Sequence, residues 1–228
     1  MKRCLVILCI CAGCTDVKSS AITTEGMNAQ FTATAGESTT TVAATLRVGG
    51  ELSNTYVDLE EGDSLEATDG DETQTLAHQS LGAFHEYNAS FQSTEAETMF
   101  TFSLNRSSGD NAPASTATLP EPFSITAPAT GENLSRGNDV LVEWESAGTS
   151  DKMQIQISGD CIGSYVETID DDGSHTVSAG SLGAFEESES CQATITVERQ
   201  RVGQLDPAFG AGSSYGVQNR TLDFRTDP

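Results

Sequence analysis

Apart from its carboxylates, this 228-residue chain has few residues able to do chemistry. Its only imidazoles are His78, His85 and His175, and none stands in a metal-ligand spacing such as two histidines four apart on a helix. All three read as strand or loop residues. No Gly-x-Ser-x-Gly elbow presents a serine nucleophile, and no Gly-rich loop precedes a helix to cradle a phosphate. Thirty-four Asp and Glu make any single carboxylate pair uninformative. The densest run is Asp170-Asp171-Asp172-Gly173, which invites a calcium reading because that cation takes carboxylate oxygens. Placing Gly173 sixth in a helix–loop–helix calcium loop puts Thr168 first and Ala179 last, where carboxylates belong, so the template fails. What is left is a charged turn, with weak calcium binding by Asp170, Asp171 and Asp172 as the one metal chemistry it suggests. Glu60-Glu61-Gly62-Asp63 and Asp69-Gly70-Asp71-Glu72 read as similar hairpin turns.

The six cysteines are the more informative set. Four lie in the first fourteen residues, where Lys2 and Arg3 precede an uncharged, mostly apolar run from Cys4 to Ala12. That is the layout of an export signal, and it is too short to cross a bilayer, which takes about 20 apolar residues. The run closes on Cys11-Ala12-Gly13-Cys14, which resembles the lipobox of bacterial lipoproteins, with Cys11 where that family usually has Leu. The resemblance implies that residues 1–13 are removed and that Cys14 becomes an acylated N-terminus. Several acyl chains on one cysteine would hold the protein stably, where a single chain binds only marginally. The place implied is the cell envelope, on an outer-membrane, periplasmic or surface face. Cleavage after a small residue, releasing a soluble protein, is the alternative. With Cys14 lipidated, Cys161 and Cys191 are left as a pair in a compartment oxidising enough to join them, and no thiol nucleophile remains.

The chain carries a net charge of −23, and loss of Lys2 and Arg3 would deepen it. A polyanion would be repelled and there is no basic stripe, so nucleic acid is not expected as a partner. Between Arg47 and Arg106 stand twelve acidic residues and no basic one, and the second half carries a similar surplus. An even spread of this kind describes a solvated acidic surface suited to a salty exterior.

The elements that must position these residues are strands. Residues 14–27 are polar and aperiodic, as a flexible tether would be. Beyond them apolar residues fall at every second position, in Phe31 and Ala33, in Val42, Ala44, Leu46 and Val48, and in Phe100, Phe102 and Leu104. No helical periodicity longer than about two turns appears. Residues 107–122, from Ser107-Ser108-Gly109 to Pro120-Glu121-Pro122, have linker composition. They divide a β-sandwich over 28–106 from a second over 123–228. The second offers seven strands, near 123–126, 138–144, 152–158, 163–169, 174–178, 191–199 and 215–225. Val140, Val142, Trp144, Met153, Ile155, Ile157, Ala193, Ile195 and Val197 are its expected core.

With its opening Phe123-Ser124-Ile125-Thr126-Ala127-Pro128, its second-strand Trp144 and its strand count, the segment from about 120 to 228 resembles the fibronectin type III and bacterial Ig-like families. The fold class expected is therefore all-β, two tandem antiparallel sandwiches. In such a sandwich the third and sixth strands are antiparallel neighbours. The resemblance thus implies that Cys161, after the third, lies beside Cys191, at the start of the sixth. Ser80-Leu81-Gly82-Ala83-Phe84 recurs as Ser181-Leu182-Gly183-Ala184-Phe185, each copy ahead of an expected sixth strand. Tyr87 looks like the tyrosine-corner approach to that strand in the first copy, with Ser188, or Cys191 if three residues are inserted, as its counterpart.

These readings favour a non-catalytic envelope module, a scaffold or binding platform, without identifying a protein or glycan ligand. An adhesin-like or carbohydrate-binding lipoprotein would need exposed aromatics, for which Tyr56, Tyr165 and Tyr215 are the candidates. A hydrolase using paired carboxylates has the least support.

Overall fold

The computed structural model describes residues 15–185 and 190–228, so Cys14 and Ser188 lie outside the described residues. In chain order the strands are β1 Thr15–Lys18, β2 Met27–Ala35, β3 Thr40–Val48, β4 Thr55–Asp58, β5 Ser64–Thr68, β6 Thr73–Thr75, β7 Ala77–Leu81, β8 Phe84–Phe91, β9 Met99–Asn105 and β10 Ala112–Thr118. They continue as β11 Ile125–Ala127, β12 Asn133–Ser135, β13 Val140–Trp144, β14 Lys152–Gly159, β15 Ile162–Asp170, β16 Ser174–Val177, β17 Cys191–Val202 and β18 Ala211–Asp227. The only helical pieces among the described residues are two 3₁₀ turns, Ser19–Ala21 and Thr24–Gly26. The protein is all-β.

The alternating apolar residues bury where their period places them. Phe31, Val42, Leu46, Phe100, Phe102 and Leu104 meet in one cluster, and Val142, Trp144, Met153, Ile155, Ile195 and Val197 in another. One long sheet, in the order β1-β4-β3-β2-β18-β17-β14-β15, runs past both clusters. The β10-β9-β5-β6 sheet closes the first cluster and the β11-β13-β16 sheet closes the second. Most pairs are antiparallel; β1 with β4, β12 with β18, and β18 with β2 are parallel.

Two segments differ from their reading. Residues 15–18, expected in a flexible tether, form a strand on β4, and the amide of Thr15 donates to Asn54 O at 2.9 Å. No apolar period marks them because a polar device holds them. The guanidinium of Arg106, buried beside Asp63 at 3.1 Å, donates to the carbonyls of Ser19 (2.6 Å) and Ile22 (3.1 Å) and to Thr24 Oγ1 (3.1 Å). Residues 112–118, expected in the linker, form β10 on β9. Their inward side chains, Ala112, Ser115 and Ala117, are buried but small. Small residues suit this place because another stretch of backbone presses against it.

That stretch is the chain's return. After β17 the chain doubles back on the first cluster, where Phe209 is buried with its ring centroid 5.7 Å from that of Phe31. β18 then starts beside β2, with Ala211–Gln218 parallel to Asn28–Ala35, and continues beside β17, with Tyr215–Thr226 antiparallel to Cys191–Val202. One strand thus completes both cores. Two polar side chains pin the junction. Gln218, fully buried, donates to Thr94 O (3.1 Å) and Pro120 O (3.2 Å). Arg201 holds Asp151 (3.0 Å) and Glu97 (2.5 Å) together.

Cys161 and Cys191 form a disulfide, with Cα atoms 5.8 Å apart and β14 antiparallel to β17 beside it. Replacing both with serine is expected to destabilise the protein by about 3–4 kcal/mol, the chain-entropy value for a loop of this length. The shift in the urea midpoint at unchanged slope measures it.

Candidate functional site

The described residues bring together two histidines and a carboxylate that sequence spacing left apart. β7 and β8 form a hairpin joined by Gly82 and Ala83, with Gly82 at φ +62°, a turn that requires glycine at its first central position. The register sets His78 opposite Tyr87 and Ser80 opposite His85. His78 and His85 are therefore diagonal neighbours on one face of the ribbon, within reach of each other's rings. His78 Nε2 stands 2.8 Å from His85 Nδ1. With ring centroids 5.0 Å apart and planes 23° from parallel, the rings meet edge to edge through a single N–H···N bond. The ring of Tyr87 stacks on His78 at 4.9 Å.

Asp58 closes the group from the end of β4, its Oδ1 3.9 Å from His85 Nδ1. Its other oxygen, Oδ2, accepts from the ammonium of Lys18, its cross-strand partner on β1. Burial works to raise the Asp58 carboxyl, but the Lys18 hydrogen bond and the positive ends of His85 and His78 outweigh it and hold it below the usual carboxylate range. The same hydrogen bond to Asp58 raises the Lys18 ammonium. On the far side of His85, Nε2 is buried without a hydrogen-bond partner, and Asp16 Oδ2 lies 3.9 Å from it. His85 as a whole is 5% exposed, whereas His78 is exposed. Beneath the site the Tyr87 hydroxyl accepts from Leu59 N (2.8 Å) and donates to Val57 O (3.3 Å). Burial, above all, pushes that hydroxyl up to about 12. Its partners stand 28 and 30 residues upstream, so it ties β8 to the end of β4 instead of making the local contact of a tyrosine corner.

The Asp170–Asp172 run does not converge on a point. Asp170 is exposed at a strand end and pairs with Lys152, whose hydrogen bond lowers its carboxyl. Asp171 turns inward, where Trp144 Nε1 donates to it at 2.7 Å and Arg199 Nε lies 2.9 Å away. Asp172 Oδ1 accepts from Ser174 N at 3.4 Å within the turn. The three carboxylates that suggested weak calcium binding thus serve a surface pair, a buried pair and a turn. His175 stands apart from the other histidines, 3.0 Å from the Tyr165 hydroxyl and 3.2 Å from Glu167. Tyr56 is buried under Arg47, and Tyr165 and Tyr215 are only half-exposed, so these tyrosines do not make an open aromatic platform. The repeated Ser-Leu-Gly-Ala-Phe is a hairpin turn in its first copy and an edge segment bridged to Ile162 in its second.

The signal that could have found the histidine pair is the hairpin. Once Gly82 is taken as the turn, alternation puts residues 78 and 85 on one face. Asp58 has no such local signal, since it arrives from a strand twenty residues earlier.

No family model and no curated protein matches the chain. Solved structures similar to it include a segment of two fibronectin type III domains from chicken tenascin, 9% identical over 89% of this chain and 99% of that one, with a TM-score of 0.26. The fibronectin(III)-like modules of CbhA from Clostridium thermocellum are 14% identical over 88% and 90% of the two chains, with a TM-score of 0.23. A bacterial ice-binding adhesin is 11% identical over 88% and 65%, with a TM-score of 0.24. At these values the likeness decides neither fold nor function, and the β-sandwich assignment rests on the chain's own strand pairing.

Proposed function

We propose that this chain is a cell-envelope lipoprotein, anchored through acyl chains on Cys14, that works as a non-catalytic scaffold or binding module. The observation that carries the reading is a pair of exposed leucines at the end of the sheet where Thr15 pairs. Thr15, the residue after Cys14, is already hydrogen-bonded into the sheet beside Asn54. The β3–β4 turn at that end presents Leu52, 95% exposed. The β7–β8 turn reaches the same end, with Phe84 packed on Tyr56 at 5.0 Å, and presents Leu81, 83% exposed. Two leucines held in water at the end of the sheet where Thr15 pairs are suited to enter the bilayer with a lipid anchor, each gaining about 1.5–3 kcal/mol if fully buried. The strand shared by both cores, with Arg201 and Gln218 across the junction, supports a stiff module over a hinged one. The net charge of −23 favours partners other than nucleic acid.

Cys14→Ser is the test. The variant is expected to leave the membrane fraction for the soluble fraction and to lose incorporation of labelled fatty acid. Unchanged fractionation would overturn the reading.

A further inference from the structure

We propose that Asp58, His78 and His85 form a binding site for a divalent first-row transition-metal cation, of which zinc(II) is the test case. One ligand atom from each of the three lies within 4.8 Å of the other two. Zinc–ligand bonds of about 2.0–2.2 Å in tetrahedral array place ligand atoms about 3.3 Å apart. Two of the three separations, 2.8 Å between the imidazole nitrogens and 3.9 Å between Asp58 Oδ1 and His85 Nδ1, lie on either side of that value, and the third is within 4.8 Å. Changes of about half an ångström bring these two separations to it. Two imidazoles and one carboxylate suit zinc, copper or nickel, where calcium would take oxygens alone.

Three further features fit a metal. First, His85 Nε2 is a buried polar atom with no hydrogen-bond partner. Ligation through Nδ1 makes Nε2 the protonated nitrogen and aims its N–H at Asp16 Oδ2, now 3.9 Å away, the carboxylate–histidine–metal arrangement that fixes a ligand ring. In this step the proton that the two rings share leaves the space between them for Nε2, so both facing nitrogens offer lone pairs. Secondly, Asp58 has one oxygen held by Lys18, which leaves Oδ1 turned to the histidines. Thirdly, all five residues of β7 are exposed, so no buried side chain of its own anchors the strand that carries His78. A cation bound to β4, β7 and β8 at once would clip that strand down. Three protein ligands leave a fourth position on the side of exposed His78, open to water or to a ligand atom from a partner.

The test is calorimetric titration of the metal-free full chain with zinc chloride, together with the visible absorption of cobalt(II) as a report on ligand field. One zinc per chain is expected, with His78→Ala and Asp58→Asn each weakening binding by about tenfold or more. His78→Ala removes an exposed side chain, and an unchanged circular dichroism spectrum identifies it as folded. His175→Ala, at the separate histidine, is expected to bind as the parent does. No zinc uptake by the parent chain, or equal affinity in a folded His78→Ala variant, would overturn the proposal. The site does not depend on acylation, so Cys14→Ser is expected to bind zinc equally well.

Discussion

Asp171→Ala is expected to destabilise the second core by about 3–5 kcal/mol, because it leaves a buried guanidinium without its counter-charge. Arg199 is 1% exposed, in the middle of β17, and both terminal nitrogens of its guanidinium are committed. Nη1 donates to Glu121 O at 2.7 Å, Nη2 to Glu145 O at 2.5 Å and to Asp171 Oδ1 at 3.2 Å. Nε stands 2.9 Å from Asp171 Oδ2, off the line of a good hydrogen bond. The ring of Phe123 covers the cation at 4.9 Å. Asp171 in turn orients Trp144, the one tryptophan, through its indole N–H. Loss of the carboxylate therefore removes the partner of two groups at once. Urea unfolding followed by Trp144 fluorescence measures the effect, and a change under about 1 kcal/mol would show that water reaches the cation and solvates it. Changing both residues to apolar ones of similar volume is expected to cost less than changing either alone.

Gly216→Val is expected to cost about 3 kcal/mol or more, at the severe end of overpacking, and to disturb both cores. Gly216 sits in β18 between Arg201 of β17 and Ala33 of β2. A Cβ there would stand 1.9 Å from the carbonyl oxygen of Thr118 in β10. The obstacle is backbone, held by its pairing with Met99 of β9, so it does not swing aside as a side-chain tip would. β18 must leave β2 or β10 must leave its own sheet. Amide exchange is expected to accelerate in β2 as well as in β17, while Gly183→Ala, with nothing within 4 Å of the added carbon, stays close to the parent. Protection unchanged in β2 would mean that the first core does not need β18.

These two positions also show what could be read from the sequence. Alternation found β2, β3, β9, β13, β14 and β17, because those strands carry large apolar residues on one face and polar ones on the other. It missed β1 and β10. The first is held by Arg106 and a backbone pairing, the second by small residues whose task is to let other backbone come close. The contacts of Asp171 lay beyond a reading of Asp170–Asp172 as a unit, since neighbours in a strand end face opposite ways and so meet different surroundings. The two cysteines were readable because a two-sheet frame fixes which strands are neighbours. The histidine pair needed the register of one hairpin, and its carboxylate needed a third strand that leaves no mark nearby.

The shared strand also sets an order of events in time. The open edge of Met27–Ala35 is among the first β structure to be made, yet its partner, Ala211–Gln218, lies more than 170 residues later. Phe209, which fills the same core, comes equally late. During synthesis the N-terminal half must therefore wait, its edge unpaired and its core short of a ring, until the C-terminal stretch arrives to close it. Pairings of such long range form slowly and leave an exposed edge in the meantime. A chain that cannot finish its first half early stays open until nearly all of it has been made, and locks only then.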